Sequence, residues 1–264
     1  MAGRAGGRVR GTGRSFALAA VLARAGTAAL RAVPPGGRDR WERRNHAGRG
    51  VGLYAGPAVA LAAAAGAGRV RPAAGFAVRA AGVCGAYDDA VGAGDPRRGF
   101  RAHLSALRDG EVTSGAVKLF GIPAAGLVAG ALLRERPVDK VLAGVVIAGA
   151  AHFVNLVDVR PGRAAAVVLA LGAAGSARAG AAGELSAAAM GAAAAVLPDD
   201  LGERVMIGDT GAHALGAALG AAAAAGAGRA GLLARAGALV AAAVYGDKVS
   251  RTARAEGRQC HSCE

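Results

Sequence analysis

Aromatic side chains are nearly missing from this chain of 264 residues: Phe, Tyr and Trp together make up 3%, with one tryptophan. That is too few to anchor a conventional soluble core of this size. It also leaves no stacking platform, so a nucleic-acid binder is excluded despite the formal charge of +14. Proline is scarce, at 9 residues with no Gly-X-Y period, which excludes collagen. Cysteine is scarcer still. Cys84, Cys260 and Cys263 give no disulfide framework, and the single C-x-x-C pair beside His261 is a weak metal site. Acidic residues number 18 against 32 Lys and Arg. What abounds is small: 44 glycines and still more alanines fill close to half the chain. A hydrophobic fraction of 53% and a mean hydropathy of +0.35 exclude a solvated coil. Two classes remain, a basic Ala-rich soluble helical protein and a multi-span membrane protein built from small residues.

The distribution of charge separates them. Charges cluster, and between the clusters lie nine stretches with one charge or none: Phe16 to Leu30, Val51 to Gly68, Pro72 to Tyr87, Leu119 to Leu133, Val141 to Val157, Ala164 to Ala177, Leu185 to Leu197, Thr210 to Gly228 and Ala236 to Tyr245. A soluble helix needs a polar face, and Thr210 to Gly228 has none. A chain this short cannot bury nine such helices. The expectation is therefore an all-α polytopic membrane protein of about nine spans. Residues 1–14 form a basic N-terminal tail, 15–250 the membrane domain and 251–264 a C-terminal tail. Close helix contacts in a bilayer favour Gly and Ala.

If the spans alternate, about 16 Lys and Arg face one side against 11 on the other, so the first side reads as cytoplasmic. The cell membrane is the expected location. Four polar clusters fall on that same side: Trp41 to Gly48, Tyr87-Asp88-Asp89, Asn155 to Arg163, and Gly208-Asp209-Thr210-Gly211. Carboxylates at membrane depth are costly and mark function. Several of them among arginines suit a hard cation facing phosphates, since Mg²⁺ takes one or two carboxylates plus phosphate oxygens.

In order and spacing these clusters resemble the polyprenyl-phosphate N-acetylhexosamine-1-phosphate transferase family, which includes the phospho-N-acetylmuramoyl-pentapeptide transferase of peptidoglycan synthesis. Asp88-Asp89 matches its aspartate pair, Asn155 with Asp158 its Asn/Asp block, and Gly208-Asp209-Thr210-Gly211 its G-D-x-G block. Asn45-His46-Ala47-Gly48 is similar to its first cytoplasmic loop, and Ser114-Gly115 with Lys118 to the start of its lysine-bearing fourth helix. The resemblance implies transfer of a sugar-1-phosphate from a UDP-sugar to a polyprenyl phosphate, with release of UMP, in cell-envelope synthesis. It implies Mg²⁺ on Asp209. Asp88, Asp89 and Asp158 become catalytic candidates, the first two by organising metal or deprotonating the acceptor phosphate. Asn45, His46, Lys118, Asn155, Arg160 and Arg163 become substrate-binding candidates. A homodimer is compatible with it, and nucleic acid is not a partner.

The departures are specific. Pro161 replaces the second aspartate of the Asn/Asp block, His152 its first asparagine, and Ala212 the serine after G-D-x-G. The chain reads as a short variant without the family's C-terminal histidine loop. Two other classes compete with an active transferase: a weakened member serving as a scaffold for envelope enzymes, and a small cation transporter. The transporter needs carboxylates at mid-span, whereas these lie at span ends. His46 and His213 read equally well as satisfied polar residues, and His103 reads as solvated.

Overall fold

Alanine is the strongest helix former and carries no side-chain entropy cost, so the low-charge stretches fold as helices. The computed structural model describes residues 2–32, 42–44, 50–92, 95, 97 and 100–246. The helices are α1 (Ala2–Ala32), α2 (Ala55–Val70), α3 (Pro72–Val91), α4 (Phe100–Arg108), α5 (Ser114–Leu133), α6 (Pro137–Val157), α7 (Arg163–Ser176), α8 (Ala181–Leu201), α9 (Gly208–Ala225) and α10 (Arg229–Val244). Pro72 and Pro137 begin α3 and α6, where a missing N–H costs nothing. Thr113 caps α5, its Oγ1 accepting the Ala116 N–H at 3.0 Å.

Each low-charge stretch falls mainly within one helix, with differences at the edges. Val51 belongs to a short strand, β2 (Gly50–Gly52), paired antiparallel with β1 (Glu42–Arg44) in the register Arg43 to Val51. The all-α expectation thus holds apart from this hairpin. The helix of the first stretch starts at Ala2, so the basic N-terminal segment is continuous with it. Of the Trp41 to Gly48 cluster, Asn45 and His46 lie outside the described residues.

Contacts at their ends show that, among the described residues, the nine longer helices alternate in direction. At one end Arg31 meets Asp199, Lys118 meets Asp88, and the Gly162 N–H donates to Asp200, joining α1, α3, α5, α7 and α8. At the other end Arg69 meets Glu184, Arg229 meets Asp139, and Arg178 donates to the Gly226 carbonyl. The core lies between these ends. Its centre is α9, buried from Thr210 to Ala222 and packed against α2, α3, α6 and α8.

That placement adds to the sequence reading. The charge-free face of α9 is covered by protein on every side, not by lipid. Four helices are long and apolar enough to cross a membrane: Arg10–Ala32, Ser114–Leu133, Pro137–Val157 and Ala181–Leu201. α2 and α7 are apolar but shorter. Only 33% of the apolar window of α5, and of α6, is buried inside the protein. Leu61, Phe76, Val83, Phe120, Leu132, Val141 and Val240 stand exposed on the outer faces. Together with the four apolar helices, these exposed side chains suit a lipid surrounding.

Candidate functional site

Three helix ends bring the carboxylates together. α3 delivers Asp88 and Asp89 in its last turn, α9 delivers Asp209 in its first, and α5 delivers Lys118 in its second. The Lys118 ammonium donates to Asp88 Oδ2 at 2.6 Å and also to Asp209 Oδ2. Asp88 accepts in addition from the Ser114 hydroxyl. One cation thus holds two carboxylates from separate helices, all three groups mostly withdrawn from solvent.

Asp89 does different work from its neighbour. Its Oδ1 accepts the Asp209 N–H at 3.1 Å; its Oδ2 accepts the Thr210 N–H at 2.9 Å and the Thr210 hydroxyl at 2.6 Å. The first turn of α9 has no side-chain cap of its own, so a carboxylate from α3 satisfies its orphan donors. Gly208 makes this possible. Its φ of +56° lies in the left-handed region, and a Cβ there would sit 2.9 Å from Asp89 Oδ2 and 2.7 Å from Leu53.

Asp158 closes α6 just beyond the helix. Burial pushes its carboxyl well above the usual carboxylate range, and the Asp200, Asp209 and Asp89 charges push it the same way. Asp200 was not singled out by sequence, although Asp199-Asp200 repeats the aspartate pair at the end of a low-charge stretch. It is 4% exposed and accepts the Gly162 N–H at 2.8 Å, pinning the α6–α7 turn against α8. Within that turn the Arg163 N–H donates to the Arg160 carbonyl at 3.2 Å. The guanidinium groups of Arg160 and Arg163 make no hydrogen bond or ion pair among the described residues.

A cavity of about 580 Å³ opens beside this cluster, between α5, α6 and α10. Its polar end is formed by His103, Lys118, His152, Asn155 and His213. Its shaft is apolar, lined by Leu119, Ile122, Leu127, Val145, Leu239 and Val244. His213, one turn after Asp209, is 2% exposed and its Nδ1 bonds the Asp209 carbonyl at 2.7 Å. A carbonyl only accepts, so Nδ1 carries the hydrogen. His103, read from sequence as solvated, is partly buried against Thr113, with Nδ1 and Oγ1 2.9 Å apart.

The arrangement therefore joins Asp88, Lys118 and Asp209 directly, and sets Asn155 in the adjoining cavity. Asp89 is committed to capping and Asp158 lies next in the same field of charge. Asp95 stands apart in a loop: Arg97 donates to it at 2.9 Å and holds its carboxyl below the usual range. Among the described residues no three His, Cys, Asp or Glu side chains form a metal-holding group. Two carboxylates are nonetheless a sufficient protein share for Mg²⁺ when phosphate oxygens complete its shell. No protein-family model, curated protein or solved structure matches the chain.

Proposed function

We propose that this chain is a multi-pass membrane enzyme of the cell membrane. In this reading it transfers a sugar-1-phosphate from a UDP-sugar to a polyprenyl phosphate on the cytoplasmic side and releases UMP. The observation that carries the reading is the junction of two features. Lys118, which bridges the carboxylates of Asp88 and Asp209, lines the polar part of a cavity whose remaining wall is mainly apolar. A soluble phosphate substrate has no use for that shaft, whereas a lipid phosphate needs both parts.

The reaction forms a bond from an oxygen of the lipid phosphate to the sugar-bearing phosphorus of the donor. It breaks the pyrophosphate bond, and UMP leaves with the electron pair. Several negative charges meet in one place, so cationic groups must offset them. Lys118 is placed to shift from its carboxylates to a phosphate oxygen. Asp209 and Asp88 supply hard oxygen donors that fit Mg²⁺, which when bound would neutralise charge on the donor phosphates. Asn155, beside the cavity, is positioned to orient a phosphate or the nucleotide. Arg160 and Arg163 offer guanidinium groups that remain available for phosphate. The nine-span topology, with α2, α3, α7, α9 and α10 completing the membrane domain, belongs to the same reading.

The test is UMP release from a panel of UDP-sugars with polyprenyl phosphate, with and without Mg²⁺. Metal-dependent release with at least one donor supports the assignment. A folded protein that releases none with any donor would instead favour a scaffold for envelope enzymes.

A further inference from the structure

The polar end of the cavity contains a donor that the reaction scheme does not use. His103 comes from α4, a short helix outside the bundle of longer ones, and reaches the cavity beside Lys118. Thr113 is 5% exposed, and its Oγ1 already accepts the Ala116 N–H at 3.0 Å. A buried hydroxyl hydrogen needs an acceptor, and the partner at 2.9 Å is His103 Nδ1. With Nδ1 accepting, the neutral ring carries its hydrogen on Nε2. Nε2 lies over Gly115, in the space that a Cβ at that position would fill. A cap residue and a glycine of α5 thus orient the imidazole so that it presents an N–H, and Gly115 lines the same cavity.

We propose that His103 is a specificity-determining residue that donates its Nε2–H to a non-bridging phosphate oxygen of a long-chain lipid monophosphate, whose chain occupies the shaft lined by Leu119, Ile122 and Leu239. Charge complementarity selects this occupant: Lys118 and an imidazole donor stand with His152, Asn155 and His213 in the polar part of the lining, and the remainder of the wall is apolar. The proposal rests on the lipid-phosphate reading of the site, yet it concerns binding and not transfer.

The experiment measures equilibrium binding of radiolabelled farnesyl phosphate to the full chain in nanodiscs, with farnesol and inorganic phosphate as competitors. Wild-type protein is expected to prefer farnesyl phosphate over farnesol, and inorganic phosphate is expected to compete poorly because it lacks the chain. His103→Ala should weaken farnesyl phosphate about tenfold, the loss of one hydrogen bond to a charged group, and leave farnesol unchanged. His103→Gln, which keeps an N–H donor, should recover most of the loss. Equal weakening of phosphate and alcohol, no weakening in His103→Ala, or a wild-type protein that does not distinguish phosphate from alcohol would each overturn the proposal. If UMP release fails with every donor while His103-dependent discrimination persists, the transfer reading falls and this one stands.

Discussion

Asp88 and Asp89 are adjacent in the chain but face different partners, and substitution should separate them. Asp89→Asn places an amide N–H₂ against the Asp209 and Thr210 donors, so the α9 cap is partly lost. The expected cost is about 1–3 kcal/mol, read as a lower midpoint of thermal unfolding. Asp95→Asn removes a partly exposed ion pair with Arg97, away from the carboxylate cluster, and should leave both stability and turnover close to wild type. Equal losses in the two variants would mean that the acidic site extends into the loop. Asp209→Asn is expected to abolish UMP release with little loss of folded protein, because only the side chain facing Lys118 changes. Asp158 carries a pH dependence. Its folded-state pKa is raised, so its stabilising contribution is complete below the ordinary carboxylate range and is lost as pH rises through the folded value. In chelator-treated protein, Asp158→Asn should therefore unfold at a higher temperature than wild type at pH 8. The difference should shrink toward pH 4, and turnover should fall as stability rises. A lower melting temperature at pH 8 would contradict this.

Among the helices, α9 organises both ends of the molecule. Its N-terminal N–H groups meet the Asp89 carboxylate. Its C-terminal carbonyls meet three arginines: Arg134 donates to Ala224 and Ala227, Arg178 to Gly226 at 2.9 Å, and Arg235 to Ala223 at 3.4 Å. An acid at the start and cations at the end both oppose the helix dipole. A helix of nearly pure Ala and Gly with no exposed face thereby has its ends satisfied by neighbouring elements. Arg134→Ala takes the guanidinium away from the Ala227 and Ala224 carbonyls, the second of which keeps the Ala227 N–H at 3.4 Å, and should cost about 1–3 kcal/mol of stability. Turnover per folded molecule should stay unchanged, because the site lies at the opposite end. Thermal unfolding and UMP release measured on the same preparation check both halves.

For the whole molecule, the proposed membrane topology sets the site end and the Arg134 end on opposite sides of a bilayer. Glu111 and Arg136 are exposed at these two ends. With the three natural cysteines replaced by serine, Glu111→Cys in right-side-out vesicles should react with an impermeant maleimide only after permeabilisation. Arg136→Cys should react at once. The reverse pattern would invert the orientation derived from Lys and Arg counts, and labelling of both from one side would remove the spanning topology.

Several features were legible in the residues alone. Runs without charge marked the helices, because a strong helix former repeated over fifteen or more residues leaves little alternative. Asp88, Lys118 and Asp209 were visible as polar groups bordering apolar stretches, where desolvation cost makes chance occurrence rare. Other features depended on contacts between segments far apart in sequence. Capping of α9 by Asp89 joins residues 120 and 121 positions apart, and nothing local distinguishes that aspartate from its neighbour. His103 looked solvated because its own segment is basic; α5 supplies both the partner and the space that orient it. The charge-free Thr210 to Gly228 run implied an apolar surrounding, but Ala and Gly suit a protein interior and a bilayer alike. The residues by themselves determined an apolar helical chain with a small set of charges at helix ends. Only the tertiary structure decided which helix is enclosed, which carboxylates share a lysine and where an apolar shaft meets them, because each depends on how long-range packing distributes scarce polar partners.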